Sequence, residues 1–264
     1  AGRVAQPLHL GAHPGGAPEA RPRLLRERAG AHHTEGELHH ARVSRRMPRA
    51  RPAGRSRPTL PVLAAMRALV TGAGGFVGPY LVAGLEARGF EVHAFDRELD
   101  VTDPQALRAR VDAVRPEAVV HLAGISFVPA AECDRARVWR VNYAGALHLL
   151  ETLRARCPGA RLLLVGTGQV YGSAAPGSRP ARETDPLRPG NAYTRTKAAA
   201  DLLGAAFARR HGLCVLRARP LNHTGPGRPD RFVESSFARQ LVEMELGRRP
   251  LRMEVGNLDA VRDF

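Results

Sequence analysis

A doubly wound α/β fold, a parallel sheet covered by helices on both faces, is what this sequence predicts. Three observations point to it. Short apolar runs alternate with helical patterns from residue 67 to residue 217, the runs are too continuously apolar for strands with one wet face, and the first of them breaks at a glycine-spaced turn.

The elements follow in order. Residues 67–71 form the first apolar run, and residues 76–88 carry Val77, Leu81 and Leu85 at helical spacing. Residues 90–95 alternate as a strand does. Thr102, Asp103 and Pro104 open the second helix, residues 118–122 give the next strand, and a long helix is expected over about 138–156. A strand at 161–165, a helix at 193–210 and a strand at 213–217 complete the series. A sheet of this kind binds its ligand beyond the C-terminal ends of its strands.

Two unlike parts make up the chain. Residues 1–65 hold twelve arginines, four acids and six of the eleven histidines, with much Pro, Gly and Ala and no periodicity. Such a segment cannot bury enough apolar surface to fold and reads as a disordered basic leader that is not a native domain, with Met66 as the expected start. Its apolar run at residues 60–65 is far too short to span a bilayer, so no membrane partner is expected. From Met66 onward the excess of basic residues is carried almost wholly by arginine. That is a compositional habit, so the formal charge of +15 does not point to a nucleic-acid partner. Cys133, Cys157 and Cys214 form no pair at metal-binding or redox spacing, which predicts buried thiols, no metal and a reducing, cytoplasmic setting.

Chemistry concentrates at a few positions. Gly72, Gly75 and Gly78 follow the first strand with spacing that allows a tight turn, close approach of a pyrophosphate, and close packing of the next helix. Asp96 ends the second strand, where a carboxylate can bond the adenosine ribose of NAD, while the adjacent Arg97 suits the 2′-phosphate of NADP; both coenzymes stay open. Asp100 and Val101 are placed to meet the adenine edge, with helix capping an equal reading for the nearby acids. Lys197 is the single lysine within a Lys+Arg total of 40, and it stands one helical turn after Tyr193. A compact ammonium can bond ribose hydroxyls and lower the pKa of a neighbouring phenol as a guanidinium cannot. The competing reading is a half-buried tyrosine beside a solvated lysine.

With His121-Leu-Ala-Gly124, Val141-Asn142 and Val165-Gly-Thr-Gly-Gln-Val-Tyr-Gly172 added, residues 66–264 resemble the extended short-chain dehydrogenases that act on nucleotide sugars. Within them, the segments 219–227, 232–240 and 255–264 are most similar to the branch handling GDP-mannose derivatives, its 4,6-dehydratases and its 4-keto-6-deoxymannose reductases. The resemblance implies a Rossmann domain at 66–220, binding NAD or NADP, and the start of a truncated nucleotide-sugar domain at 221–264. Tyr193 becomes the acid-base group, Lys197 the holder of the nicotinamide ribose, and Thr167 the hydrogen-bond donor to the reacting sugar oxygen. Ala123 and Asn142 fall where the family contacts or supports its coenzyme. Ser126, Gln169, Asn222 and Arg228 face the sugar and diphosphate. A homo-oligomer is implied for the complete protein.

Position 169 separates the reactions. Dehydratases of that branch carry glutamate there, as the base that takes the sugar C5 proton, whereas Gln169 has no carboxylate to ionise. The sequence thus favours reduction of a 4-ketone, with a dehydratase or epimerase as the alternative. A non-enzymatic dinucleotide-binding module would not need Thr167, Tyr193 and Lys197 together.

Overall fold

The computed structural model describes residues 65–173 and 179–256. The expected disordered leader lies outside the described residues except for its last position. Five strands form one parallel sheet in the order β2-β1-β3-β4-β5: β1 is Arg67–Thr71, β2 Glu91–Phe95, β3 Ala118–His121, β4 Arg161–Val165 and β5 Cys214–Ala218. The doubly wound α/β architecture is therefore present. The helices are α1 Gly78–Glu86, α2 Pro104–Val114, α3 Val128–Cys133, α4 Arg135–Trp139, α5 Gly145–Arg156, α6 Ala192–His211 and α7 Val233–Glu245.

Burial of β1 explains why its sequence is almost purely apolar. Ala68, Leu69 and Val70 are fully buried because strands pair on both sides and helices cover the faces. Leu69, Val119 and Leu162 from the sheet meet Leu107 and Val111 of α2 and Leu149, Leu150 and Leu153 of α5 in one core. From β1 the chain passes first to one side, to β2, and then to the other, to β3. That reversal of direction is a switch point, and such sheets bind ligands in the crevice beyond it. Thr71 and His121 are register partners at the floor of that crevice.

Side chains start three of these helices, Asp134 capping α4 by accepting from the amide of Arg137. Asp103 caps α2, accepting from the amides of Gln105 and Ala106. Asn191 and Thr194 cap α6 reciprocally, and Gly212 ends it in a left-handed conformation at φ 68°. This double fixing matters because α6 carries Tyr193 and Lys197.

The long helix expected near 138–156 is interrupted. Residues Arg140–Ala144 form a π-helical turn between α4 and α5, with Asn142 buried in it. Sequence periodicity cannot register one extra residue in a turn, and such turns gather at functional sites. The sequence also gave no separate sign of α3, of the 3₁₀ turn Gly168–Tyr171 or of α7, which are short or outside the strand-helix alternation. No helix among the described residues is long and apolar enough to cross a membrane.

Candidate active site

A cleft of about 1400 Å³ runs along the C-terminal ends of the strands. Its floor begins at the glycine turn. Gly72 has φ +72°, and a side chain there would put its Cβ 2.5 Å from the Ala123 amide nitrogen, so only glycine lets the loops after β1 and β3 meet. A Cβ on Gly78 would lie 1.8 Å from the Ala73 carbonyl oxygen, which is how closely α1 sits on the turn. Gly75 lines the cleft between them, its amide donating to Gly72 O at 3.2 Å. No side chain caps the N-terminus of α1 and no acid stands in its first turn. Gly78 N donates to Gly75 O at 3.1 Å and Pro79 carries no N–H, so the amides of Phe76, Val77 and Tyr80 are what this turn leaves for a diphosphate.

One end of the cleft is lined by Asp96, Arg97, Asp100 and Val101. The Asp96 carboxylate rests on Gly74, where a Cβ would come within 2.5 Å of Oδ2. A side chain at position 74 would therefore displace the Asp96 carboxylate, a constraint that the spacing of the other three glycines did not reveal. Asp100 accepts from the amide and hydroxyl of Thr102, both at 2.8 Å, and these bonds hold its carboxyl below the usual range. Since Asp103 does the capping of α2, Asp100 belongs to the cleft wall.

The other end brings together Ala123, Thr167, Tyr193 and Lys197. Tyr193 and Lys197 are each only 7% exposed, which removes the reading of a solvated lysine. Lys197 Nζ donates to Val165 O at 2.8 Å, and burial pulls its pKa down to about 8. Burial pushes the Tyr193 phenol up, and the Thr167 hydroxyl pulls it back. Tuning of Tyr193 by the Lys197 charge is not among the influences this geometry exerts. The ammonium is turned to the β4 carbonyl instead. Thr167 also accepts from the Gln169 amide, starting the 3₁₀ turn that sets both residues on the cleft wall.

Ser126, Gln169, Asn222 and Arg228 line the remaining wall. Gln169 Nε2 donates to Asn222 Oδ1 at 3.3 Å. Arg228 pairs with Glu234 at 3.1 Å while its guanidinium lies 4.3 Å from the Phe232 ring centroid and 5.9 Å from that of Phe76. Phe76 in turn stacks on His223, and Tyr80 donates to Pro226 O at 2.7 Å. These aromatic contacts tie the segment after β5 to the glycine turn. They join positions far apart in the chain, so no local pattern could have revealed them.

Asn142 does not line the cleft but sits beneath it. Its Oδ1 accepts from the Ile125 amide at 2.8 Å and its Nδ2 donates to Ile125 O and to Thr196 Oγ1, both at 3.1 Å. It therefore fixes the loop after β3 against α6. Asp201, one turn beyond Lys197, is a second anchor. Burial pushes its carboxyl up, but Arg219 and Arg217 outweigh this and hold it below the usual range. Arg219 continues to Tyr171 Oη at 2.7 Å and Glu183 O at 3.0 Å, so one network locks α6 to the turn bearing Thr167. Asp201→Asn, which leaves two arginines short of their carboxylate, should lower stability by about 3–5 kcal/mol in denaturant melts.

Lys197 gives a prediction of opposite sign. Its pKa is lowered from 10.5 to about 8, so the unfolded chain binds the proton more tightly. The resulting penalty is fully present below about pH 8 and disappears as pH rises to 10.5. Lys197→Met should therefore raise stability at pH 7, by about 1–3 kcal/mol, and the gain should vanish near pH 10.5 in the same melts. Among the described residues, no group of three or more His, Cys, Asp or Glu is placed to hold a metal ion.

Comparison with known proteins gives consistent matches. The model of the NAD dependent epimerase/dehydratase family matches residues 68–264. Over 200 residues the chain is 40% identical to the GDP-6-deoxy-D-mannose reductase of Pseudomonas aeruginosa, covering 75% of this chain and 66% of that protein. It is 28% identical over 229 residues to GDP-mannose 4,6 dehydratase 2 of Arabidopsis thaliana, covering 75% and 60%. The solved structure of RMD from Pseudomonas aeruginosa complexed with NADPH matches with a TM-score of 0.68 at 38% identity, over 76% of this chain and 67% of that one. The chain thus spans 60–66% of the length of these two curated relatives.

Proposed function

The chain belongs to the NAD dependent epimerase/dehydratase family, and on that premise we propose that it reduces the C4 ketone of a GDP-linked 4-keto-6-deoxyhexose with NADH or NADPH. The observation that carries the choice of reaction is Gln169, an amide bonded to Asn222 where elimination would need a carboxylate. The 40% identity to a GDP-6-deoxy-D-mannose reductase supports the same choice. The second reading, a 4,6-dehydratase, is favoured by the similarity to the Arabidopsis enzyme and opposed by that amide.

The cleft fits a nicotinamide dinucleotide. A glycine turn and an uncapped helix N-terminus suit the diphosphate, Asp96 and Arg97 the adenosine end, and Tyr193 and Lys197 the nicotinamide end. When bound, the coenzyme supplies the hydride. Thr167 orients the sugar ketone beside Tyr193, and the phenol gives its proton to the ketone oxygen as the alcohol forms; solvent then restores the tyrosine. Lys197 holds the nicotinamide ribose and, once drawn from Val165 O towards it, brings a positive charge to the phenol. Ser126, Asn222 and Arg228 hold the sugar and diphosphate, with residues from 221 onward as the start of a substrate-binding part. The protein works as a cytoplasmic homo-oligomer in this reading.

The test is consumption of reduced coenzyme by the purified protein, in a form spanning the full length of its relatives, when the GDP-linked 4-keto sugar is added. Because the ribose contact needs the ammonium, coenzyme affinity should be highest below about pH 8 and fall roughly tenfold per unit above it. Fluorescence titration of NADPH from pH 6 to 10 would show this; a flat profile would remove Lys197 from the coenzyme site.

A further inference from the structure

Behind the cleft, His121 is a buried imidazole that the proposed reaction does not use. It is 1% exposed, and its Nδ1 lies 2.7 Å from Thr71 Oγ1, its register partner on β1. Among the described residues its Nε2 has no hydrogen-bond partner. Buried polar atoms are rarely left so, and a phenylalanine would fill the same space without that cost.

A small cavity of about 10 Å³ lies against His121, walled also by Lys197, Asn142 and Asp201. That is about the room one water molecule requires. Two of these walls already have a partner for every polar side-chain atom. The amide atoms of Asn142 are taken by Ile125 and Thr196, and both carboxylate oxygens of Asp201 are taken by Arg217 and Arg219. Lys197 donates one of its three N–H bonds to Val165 O. The polar side-chain atom left without any partner at the cavity is thus His121 Nε2, and the Lys197 ammonium has N–H bonds still to give.

We propose that one internal water joins them, so that His121 is a positioning residue for Lys197: Nδ1–H donates to Thr71 Oγ1, and Nε2 accepts from a water that accepts in turn from Nζ. This orders the tautomer, since the other would present an N–H towards a cation. Burial, with the Lys197 charge in second place, pushes the His121 pKa down to about 3, so the ring is a neutral acceptor throughout the working range. The other titratable groups facing the pair are Tyr193 and Asp201 on α6, the latter already neutralised by Arg217 and Arg219. The water would retain the ammonium form of a lysine that burial otherwise drives towards neutrality. The inference rests on the proposed reading only in taking Lys197 as the coenzyme-binding lysine.

The experiment has two arms. In the chain with ¹⁵N-labelled histidine, NMR should show His121 with a protonated Nδ1 and an unprotonated, hydrogen-bonded Nε2, unchanged from pH 5 to 8. A protonated Nε2, or an Nε2 shift without a hydrogen bond, overturns the proposal whatever the enzyme does. In the second arm, NADPH affinity is followed against pH. His121→Phe should move the loss of binding down by about one pH unit, leaving affinity roughly fivefold weaker at pH 8, while His121→Gln, which keeps an acceptor, should restore most of it. Equal profiles for wild type and His121→Phe overturn the positioning role. Failure of the wild type to bind coenzyme would count against the proposed function instead, and the NMR arm would still decide the place of His121.

Discussion

Tyr193→Phe should cost about 10²- to 10⁴-fold in turnover while leaving coenzyme affinity at its wild-type value. The substitution removes one oxygen from a residue held in place by burial, within a helix whose start is fixed by Asn191 and Thr194, so the ring should stay where it is. What disappears is the proton donor beside Thr167. Ketone reduction would still receive a hydride, but the developing alkoxide would have to find its proton elsewhere. Paired measurements of kcat and of NADPH dissociation decide the matter, and undiminished turnover would take Tyr193 out of the mechanism.

The second large effect concerns what the protein should fail to do. Elimination of water across C5 and C6 of GDP-mannose needs a base at the C5 proton, and Gln169, its amide committed to Asn222, offers none. Dehydration of GDP-mannose by the unmodified protein should therefore be slower than reduction of the 4-ketone by about 10²-fold or more. Gln169→Glu, in turn, should gain measurable ketone formation from GDP-mannose in an assay of the released product, because Thr167 and Tyr193 already stand at the neighbouring positions of the cleft. Rapid dehydration by the wild type would mean that another group supplies the base.

Much of this architecture was legible in the sequence, and for a physical reason. Strands inside a helix-covered parallel sheet must be largely apolar, so β1, β3 and β4 announce themselves, and glycine at 72 and 78 is forced by backbone contacts that admit no side chain. Lys197 stood out because a lysine among arginines is chemically distinct, and its near-complete burial agrees with that reading. What the sequence hid depends on pairings across the chain. The π-helical turn that buries Asn142, the stack of Phe76 on His223, and the clamp of Asp201 on Arg219 each involve residues whose types are ordinary and whose partners are distant. The direction of the Lys197 ammonium, towards Val165 O, was likewise invisible, since it is set by the end of β4 rather than by the spacing to Tyr193.

Net hydride transfer to C4 of a GDP-linked keto sugar can be followed with an isotope. Reduced coenzyme carrying deuterium at the transferable position of its nicotinamide would be incubated with the 4-keto-6-deoxy sugar nucleotide and the full-length protein, and the product examined by NMR. One deuterium at C4 of the sugar for each coenzyme oxidised is the result expected. A sugar free of deuterium, with the coenzyme unspent and GDP-mannose converted to the ketone in a parallel incubation, would contradict the account.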